Sequence, residues 1–310
     1  SASVNTAEKI YSVREKIGNM FNFEPQNVAF TLNCTMALNM AIKGSVKKGD
    51  HIIISSLEHN AVWRVVNHLK NNGTAAFDIA DFSFDEEETV KNFERLIRPN
   101  TSLIVCMAAS NVFGVAFPIE KIGEIAKRHR IRFIVDAAQA AGIIPIDSDK
   151  CNIDILCAPG HKCLFGNMGT GFLAVKNDVY LDTIIDGGTG SESINPNQPD
   201  FLPDRLEAGT LNNSGILSLG AGIDFIHSKG IDNIYNHELK ITDFLYHCLS
   251  ENDNAVLYCP KPEKYKSAPI ISFNYKDYAS EKTASLLAEK NIAVRAGLHC
   301  SPLAHSYFRT

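Results

Sequence analysis

No two of the eight cysteines, at positions 34, 106, 151, 157, 163, 248, 259 and 300, stand three apart. That removes both a CxxC redox pair and a zinc-ribbon spacing, and no metal site is expected. A chain of 310 residues has no need of a disulfide scaffold, so reduced thiols in a cytosolic compartment fit best, most of them as small buried hydrophobes. Blocks of five like charges are missing too. With 30 Lys+Arg against 35 Asp+Glu the net charge is −5, which leaves no electrostatic footprint for nucleic acid. The most apolar stretch, 131–146, is broken by Asp136 and Gln139, so nothing approaches the roughly 20 apolar residues of a membrane span. Residues 1–7 carry neither a basic nor an apolar export region. A cytoplasmic protein acting on small molecules, with no membrane or nucleic-acid partner, is the expectation. There is no internal repeat and no low-complexity tract.

What the chain does have is alternation. Asn5 and Glu8 read as an N-cap and its N3 partner, with Ile10, Val13, Ile17 and Met20 at helical spacing behind them. An apolar run at 28–32 precedes a helical pattern at 34–43, with Gly44 as its C′ residue. Strands at 51–55, 74–79, 102–108, 131–135, 153–158 and 171–175 alternate with helices at 60–72, 86–97 and, begun by Pro118 at N1, up to Arg130. Short strands joined by longer helices predict an α/β fold with a mainly parallel sheet covered on both faces. A polar loop rich in Gly, Ser, Asn and Pro spans 186–203. Helices at 213–228 and 232–250, a strand at 270–275, a helix at 281–290 and a strand at 292–294 then suggest a smaller α+β domain. The expected division is a large domain over 1–230 and a partial small domain over 231–310.

Ligands of such sheets bind outside the carboxyl ends of the strands, and four strand ends carry chemistry. Lys162 follows the 153–158 strand among Gly160, Gly166, Gly169 and Gly171; a lysine in such a place can serve as a Schiff-base amine, or is simply a solvated loop lysine. Asp136 ends its strand with Gln139 three residues on, a carboxylate able to hold a pyridinium N–H with an amide beside it, or a helix N-cap. Glu58, His59 and Asn60 follow the 51–55 strand, where an imidazole can lie over a flat cofactor or be merely structural. Asn33, Cys34 and Thr35 open a helix, an anion site by geometry or plain capping.

In this order, the motifs resemble the class V aminotransferase family of fold-type I pyridoxal phosphate enzymes. The matching stretches are 30–39, 58–61, 110–114, 135–139, 160–171 and 205–211. The resemblance implies pyridoxal 5′-phosphate carried by Lys162 as a Schiff base, with Asp136 on the ring nitrogen, Gln139 at the ring oxygen and His59 stacked on the ring. It puts Asn111 beside ring and substrate, and Cys34, Thr35 and His161 at the phosphate. Thr210 would reach the phosphate of a neighbouring subunit, so a homodimer is implied.

Residues 294–305, Val-Arg-Ala-Gly-Leu-His-Cys-Ser-Pro-Leu-Ala-His, look like the Arg-x-Gly-x-His-Cys loop of the cysteine desulfurase and selenocysteine lyase group. Cationic neighbours such as Arg295 and His299 favour a thiolate, the nucleophilic form of cysteine. The resemblance therefore implies a desulfurase that converts L-cysteine to L-alanine with a persulfide on Cys300, Lys162 and His59 doing acid–base work, Arg295 and His299 near the substrate, and a protein as possible sulfur acceptor. A selenocysteine lyase, a class V transaminase or lyase without sulfur transfer, and a catalytically impaired cofactor-binding partner of sulfur-transfer proteins are the alternatives. Cys34 and Cys163 are expected in packing or backbone roles. Two family features have no counterpart, the N-terminal arm before Asn5 and the substrate-carboxylate arginine beyond the cysteine loop; Arg309 is not in a matching context.

Overall fold

The computed structural model describes residues 2–310. Helix α1 (Ala2–Phe21) is followed by β1 (Val28–Thr31), α2 (Cys34–Ser45), β2 (Asp50–Ser55), α3 (Asn60–Asn71), β3 (Ala75–Ala80), α4 (Glu86–Arg95) and β4 (Thr101–Met107). Next come α5 (Ile119–His129), β5 (Arg132–Asp136), β6 (Ile155–Pro159), β7 (Gly171–Val175), α6 (Asn213–Lys229) and α7 (Ile231–Ser250). The chain closes with β8 (Ala255–Leu257), β9 (Phe273–Tyr275), α8 (Ser280–Ala288) and α9 (Pro302–Phe308).

Seven strands form one sheet in the order β1-β7-β6-β5-β4-β2-β3. Pairing is parallel from β3 through β6, whereas β7 runs antiparallel to both β6 and β1. The carboxyl ends of β1, β2, β4, β5 and β6 consequently open on one edge. The mainly parallel α/β sheet expected from the alternation is present.

Side-chain alternation along each strand divides the core in two. Ile104, Cys106, Phe133, Val135 and Leu156 pack with Val13 and Ile17 of α1, Ile122 of α5 and Leu219 of α6. Leu103, Val105, Ile134, Ile155 and Cys157 face the other way, onto Leu38 and Ala41 of α2 and Val62 and Val66 of α3. Strands buried on both faces are what crossover helices require. Strands β8 and β9 form a separate antiparallel pair.

Several boundaries differ from expectation. Helix α1 already runs from Ala2, so Asn5 lies inside it rather than capping it. Gly44 is inside α2, not its C′ residue: a Cβ there would stand 2.6 Å from the Asp182 carbonyl oxygen, so this glycine serves the close crossing of another segment. Residues 292–294 are not a strand; Ile292 and Val294 are exposed, and the run has no partner strand. The three-residue β8 and seven-residue α9 are too short to carry a periodic signal.

Candidate active site

Asp136 is the last residue of β5, held between Met107 of β4 and Cys157 of β6. The residue is 4% exposed. Oδ1 accepts the Ala138 N–H at 2.9 Å and the Cys34 thiol at 3.6 Å, which leaves Oδ2 for an N–H donor in the cavity that Asp136 lines.

The first turn of α2 supplies donors. Asn33 caps it through the Met36 N–H at 2.9 Å, while the Cys34 and Thr35 N–H groups belong to the set with no acceptor inside the helix. The start of β7 packs directly onto this turn, because a Cβ at Gly171 would stand 2.6 Å from the Asn33 carbonyl carbon. Burial, helped by Asp136, pushes the Cys34 thiol well up. Its side chain is thus a neutral neighbour of Asp136, in keeping with a packing or backbone role.

After β2 the chain turns through Glu58 and His59 into α3. His59 is the N-cap of α3, its Nδ1 accepting the Ala61 N–H at 3.0 Å. A ring nitrogen that accepts carries no proton, so the neutral ring keeps its proton on Nε2. Burial pushes His59 below the ordinary imidazole value, and Lys162, Arg295 and Arg64 act in the same direction against Asp136. Glu58 is fully buried. Its Oε1 accepts the Ser55 hydroxyl at 2.7 Å and the Met107 N–H at 2.8 Å, and Oε2 has no partner. Burial, with the nearby charge of Asp136, pushes this carboxyl up to about 8.

Lys162 stands on the connection between β6 and β7. The Gly160 N–H donates to the Thr170 carbonyl at 2.9 Å and the Gly166 N–H to the Gly160 carbonyl at 2.8 Å, closing the loop at its base. His161 is exposed, its ring pushed down by partial burial and by Lys162.

These elements bound a cavity of about 240 Å³ lined by Cys34, Thr35, His59, Asn111, Asp136, Gln139, His161, Lys162 and Arg295. A wider, adjoining cleft shares His59, Asn111, Gln139, Lys162 and Arg295 and adds His299 and Cys300. Thr210, expected at the phosphate of a neighbouring subunit, lines neither space and is exposed on the loop after Glu207. Cys34, Cys106, Cys151 and Cys157 are buried, Cys163 and Cys259 half-buried, and Cys248 and Cys300 exposed; Cys300 is the exposed thiol beside the cavity. Burial and the neighbouring His305 and Arg295 push His299 down.

The donor set fits pyridoxal phosphate. A primary amine can bond its aldehyde, a buried carboxylate can hold its ring N–H, a flat imidazole can cover the ring, and free N–H groups at a helix start can take its phosphate. Two neighbours carried no assignment in the sequence. Glu58 was visible as a carboxylate between a strand end and a helix cap, but nothing local marks it as buried. Ser301, one residue past the cysteine, gives no local sign that it folds onto Asn111.

This chain belongs to the class-V aminotransferase family, whose profile matches residues 1–310. Within that family it is similar to the probable cysteine desulfurases of Synechocystis sp. and of Methanothermobacter thermautotrophicus. The first is 30% identical over 99% of this chain and 75% of the relative, the second 31% identical over 97% and 76%. The fold is similar to the apo cysteine desulfurase of Thermococcus onnurineus NA1, with a TM-score of 0.91, 26% identity, and coverage of 100% of this chain and 78% of that one. Among the described residues, no helix is long and apolar enough to cross a membrane.

Proposed function

We propose that the chain is a pyridoxal phosphate-dependent cysteine desulfurase that takes L-cysteine to L-alanine and carries the sulfur as a persulfide on Cys300. The observation that supports this most is that Lys162, His59 and Cys300 line one cleft, so that an amine and an accessible thiol can reach one small molecule bound there. The family's cofactor is pyridoxal phosphate, which when bound supplies an aldehyde to bond the substrate's amine and a pyridinium ring to accept electrons.

The protein's own residues do the rest. Lys162 would move the substrate's Cα proton through its amine, and Asp136 would keep the ring nitrogen protonated by charge and hydrogen bonding. His59 would cover the ring as a neutral imidazole. Gln139 would reach the ring oxygen, and Thr35, His161 and the Cys34 backbone would hold the phosphate. Asn111, Arg295 and His299 face the substrate from the cleft. The Cys300 thiolate attacks the substrate's sulfur: an S–S bond forms, the C–S bond breaks with its electron pair left on the substrate skeleton, and the β-carbon gains a proton. Alanine leaves, and the exposed persulfide is open to an acceptor protein. A homodimer in which Thr210 completes a neighbour's phosphate site, with the chain divided into 1–230 and 231–310, belongs to the same reading.

The test is the visible absorbance of the purified chain with pyridoxal phosphate, borohydride trapping at Lys162, and an assay of sulfide and alanine from L-cysteine. Cys300→Ala should keep the absorbance and lose the persulfide. Undiminished sulfide release by that variant sinks the role of Cys300, and failure to trap Lys162 sinks the reading as a whole.

A further inference from the structure

Three consecutive residues of the thiol loop are held from the sheet side. The Asn111 Nδ2 donates to the His299 carbonyl at 2.9 Å, its Oδ1 accepts the Ser301 hydroxyl at 2.8 Å, and the Asn60 N–H donates to the Cys300 carbonyl at 2.7 Å. His299 and Cys300 have φ of 49° and 58°, the left-handed region that side chains disfavour. Two non-glycine residues in succession persist there only where contacts outside the turn over-determine them. Ser301 is fully buried whereas Cys300 is exposed, so the loop is gripped on one side and free on the side that carries the thiol.

Beyond the loop, α9 docks on the body of the protein. The Phe308 ring lies 4.0 Å from that of Phe113, and the Tyr307 hydroxyl donates to the Phe82 carbonyl. The loop is thereby fixed downstream as well. An asparagine amide has two N–H bonds and an oxygen with two lone pairs. The grip on the loop uses one of each, so Asn111 retains one of each for the cavity that it also lines.

We propose that Asn111 is a positioning residue for the Cys300 thiol, with Ser301 as the second jaw of a clamp that sets where the thiol stands relative to the cleft. This rests on the reading of Cys300 as the group that takes the substrate's sulfur. Asn111 and Ser301 act through the backbone of 299–301 and not on the transferred atom. A displacement of the reacting atom by about 1 Å is enough to cost a hundredfold in rate.

The experiment uses pyridoxal phosphate-loaded wild type, Ser301→Ala, Asn111→Asp and Asn111→Ala. Three quantities are read: visible absorbance, the rate at which iodoacetamide modifies the Cys300 peptide by mass spectrometry, and kcat and KM for sulfide release from L-cysteine. Ser301 lines neither the cavity nor the cleft, so its variant should keep the absorbance and KM while kcat falls about tenfold and alkylation quickens about fivefold as the loop loosens. Asn111→Asp keeps an acceptor for Ser301 but sets a carboxylate against the His299 carbonyl, and should fall between Ser301→Ala and Asn111→Ala. Should Asn111→Ala lose the cofactor, Ser301→Ala decides the matter. Wild-type alkylation rates and an unchanged kcat in Ser301→Ala overturn the clamp. Sulfide release that survives Cys300→Ala would instead overturn the role of the thiol, while the alkylation rates would still report the clamp.

Discussion

The imidazole of His59 accepts the Ala61 N–H at 3.0 Å, so one nitrogen of the ring closes the first turn of α3 while the ring lines the cavity. A single side chain serves the fold and the site, and the two uses come apart by substitution. Asparagine is an efficient N-cap and alanine is not. His59→Asn should hold the unfolding free energy of the cofactor-free protein near wild type, whereas His59→Ala should lose about 1 kcal/mol. Both should weaken pyridoxal phosphate binding in an absorbance titration. Equal destabilisation by the two variants would rule out the capping role.

Glu58 should make stability fall with rising pH. Its carboxyl is held up at about 8 in the folded chain against 4.5 as the ordinary value. Between those values the unfolded chain ionises and the folded one does not, so the folded state binds the extra proton. Stability from this group is complete below about pH 4.5, is lost at up to about 1.4 kcal/mol per pH unit across the window, and changes no further above about pH 8. Glu58→Gln keeps an acceptor for Ser55 and Met107 and removes the ionisation. Urea unfolding from pH 5 to pH 8 should show a flatter profile for that variant; a slope identical to wild type would mean that Glu58 is ionised throughout.

The guanidinium of Arg14 makes two 2.7 Å bonds to the Glu207 carboxylate, both groups about 7% exposed. Glu207 also accepts the Phe30 N–H at 2.5 Å, so the pair ties α1 and the loop before Thr210 to β1. Removing one partner strands a buried charge. Arg14→Met should therefore cost about 3–5 kcal/mol in denaturant unfolding. Arg14→Met combined with Glu207→Gln should recover part of that loss, giving a coupling energy above about 1 kcal/mol in the double-mutant cycle.

At Gly44 two effects of comparable size compete. Alanine is favoured over glycine in a helix interior by about 1 kcal/mol, yet its Cβ would stand 2.6 Å from the Asp182 carbonyl oxygen. Overpacking against backbone typically costs about 1–3 kcal/mol, so Gly44→Ala should lower the melting temperature. A rise would show that the 181–182 segment can move aside.

The gathering of the strand-end residues at one cavity was legible because its signals are local. Asp136, His59 and Lys162 each follow an apolar run whose length and flanking residues define a strand, and the parallel topology then delivers their ends to one edge. What stayed hidden is long-range or short. Glu58 reads like any loop carboxylate until the sheet buries it against Met107. Ser301 reads as a spacer until it meets Asn111, 190 residues earlier in the chain. Gly44 has the residue type of a helix stop, and only the crossing of Asp182 shows that it is a glycine for lack of room. The run at 292–294 has strand-like residues without a neighbour to pair with, a tertiary condition that no periodicity contains.

The contact between Asn111 and Ser301 also bears on the order of assembly. Most of the sheet's pairings join strands that leave the ribosome close together, and domains form as units from the N-terminal side during synthesis. The clamp spans 190 residues and is among the last contacts that can close, because contacts distant in sequence wait on the chain between them. A nascent chain can thus complete the amine and carboxylate side of its cavity before the thiol exists to face it. The Cys300 thiol comes late to a cavity whose Asp136 and Lys162 side is already built.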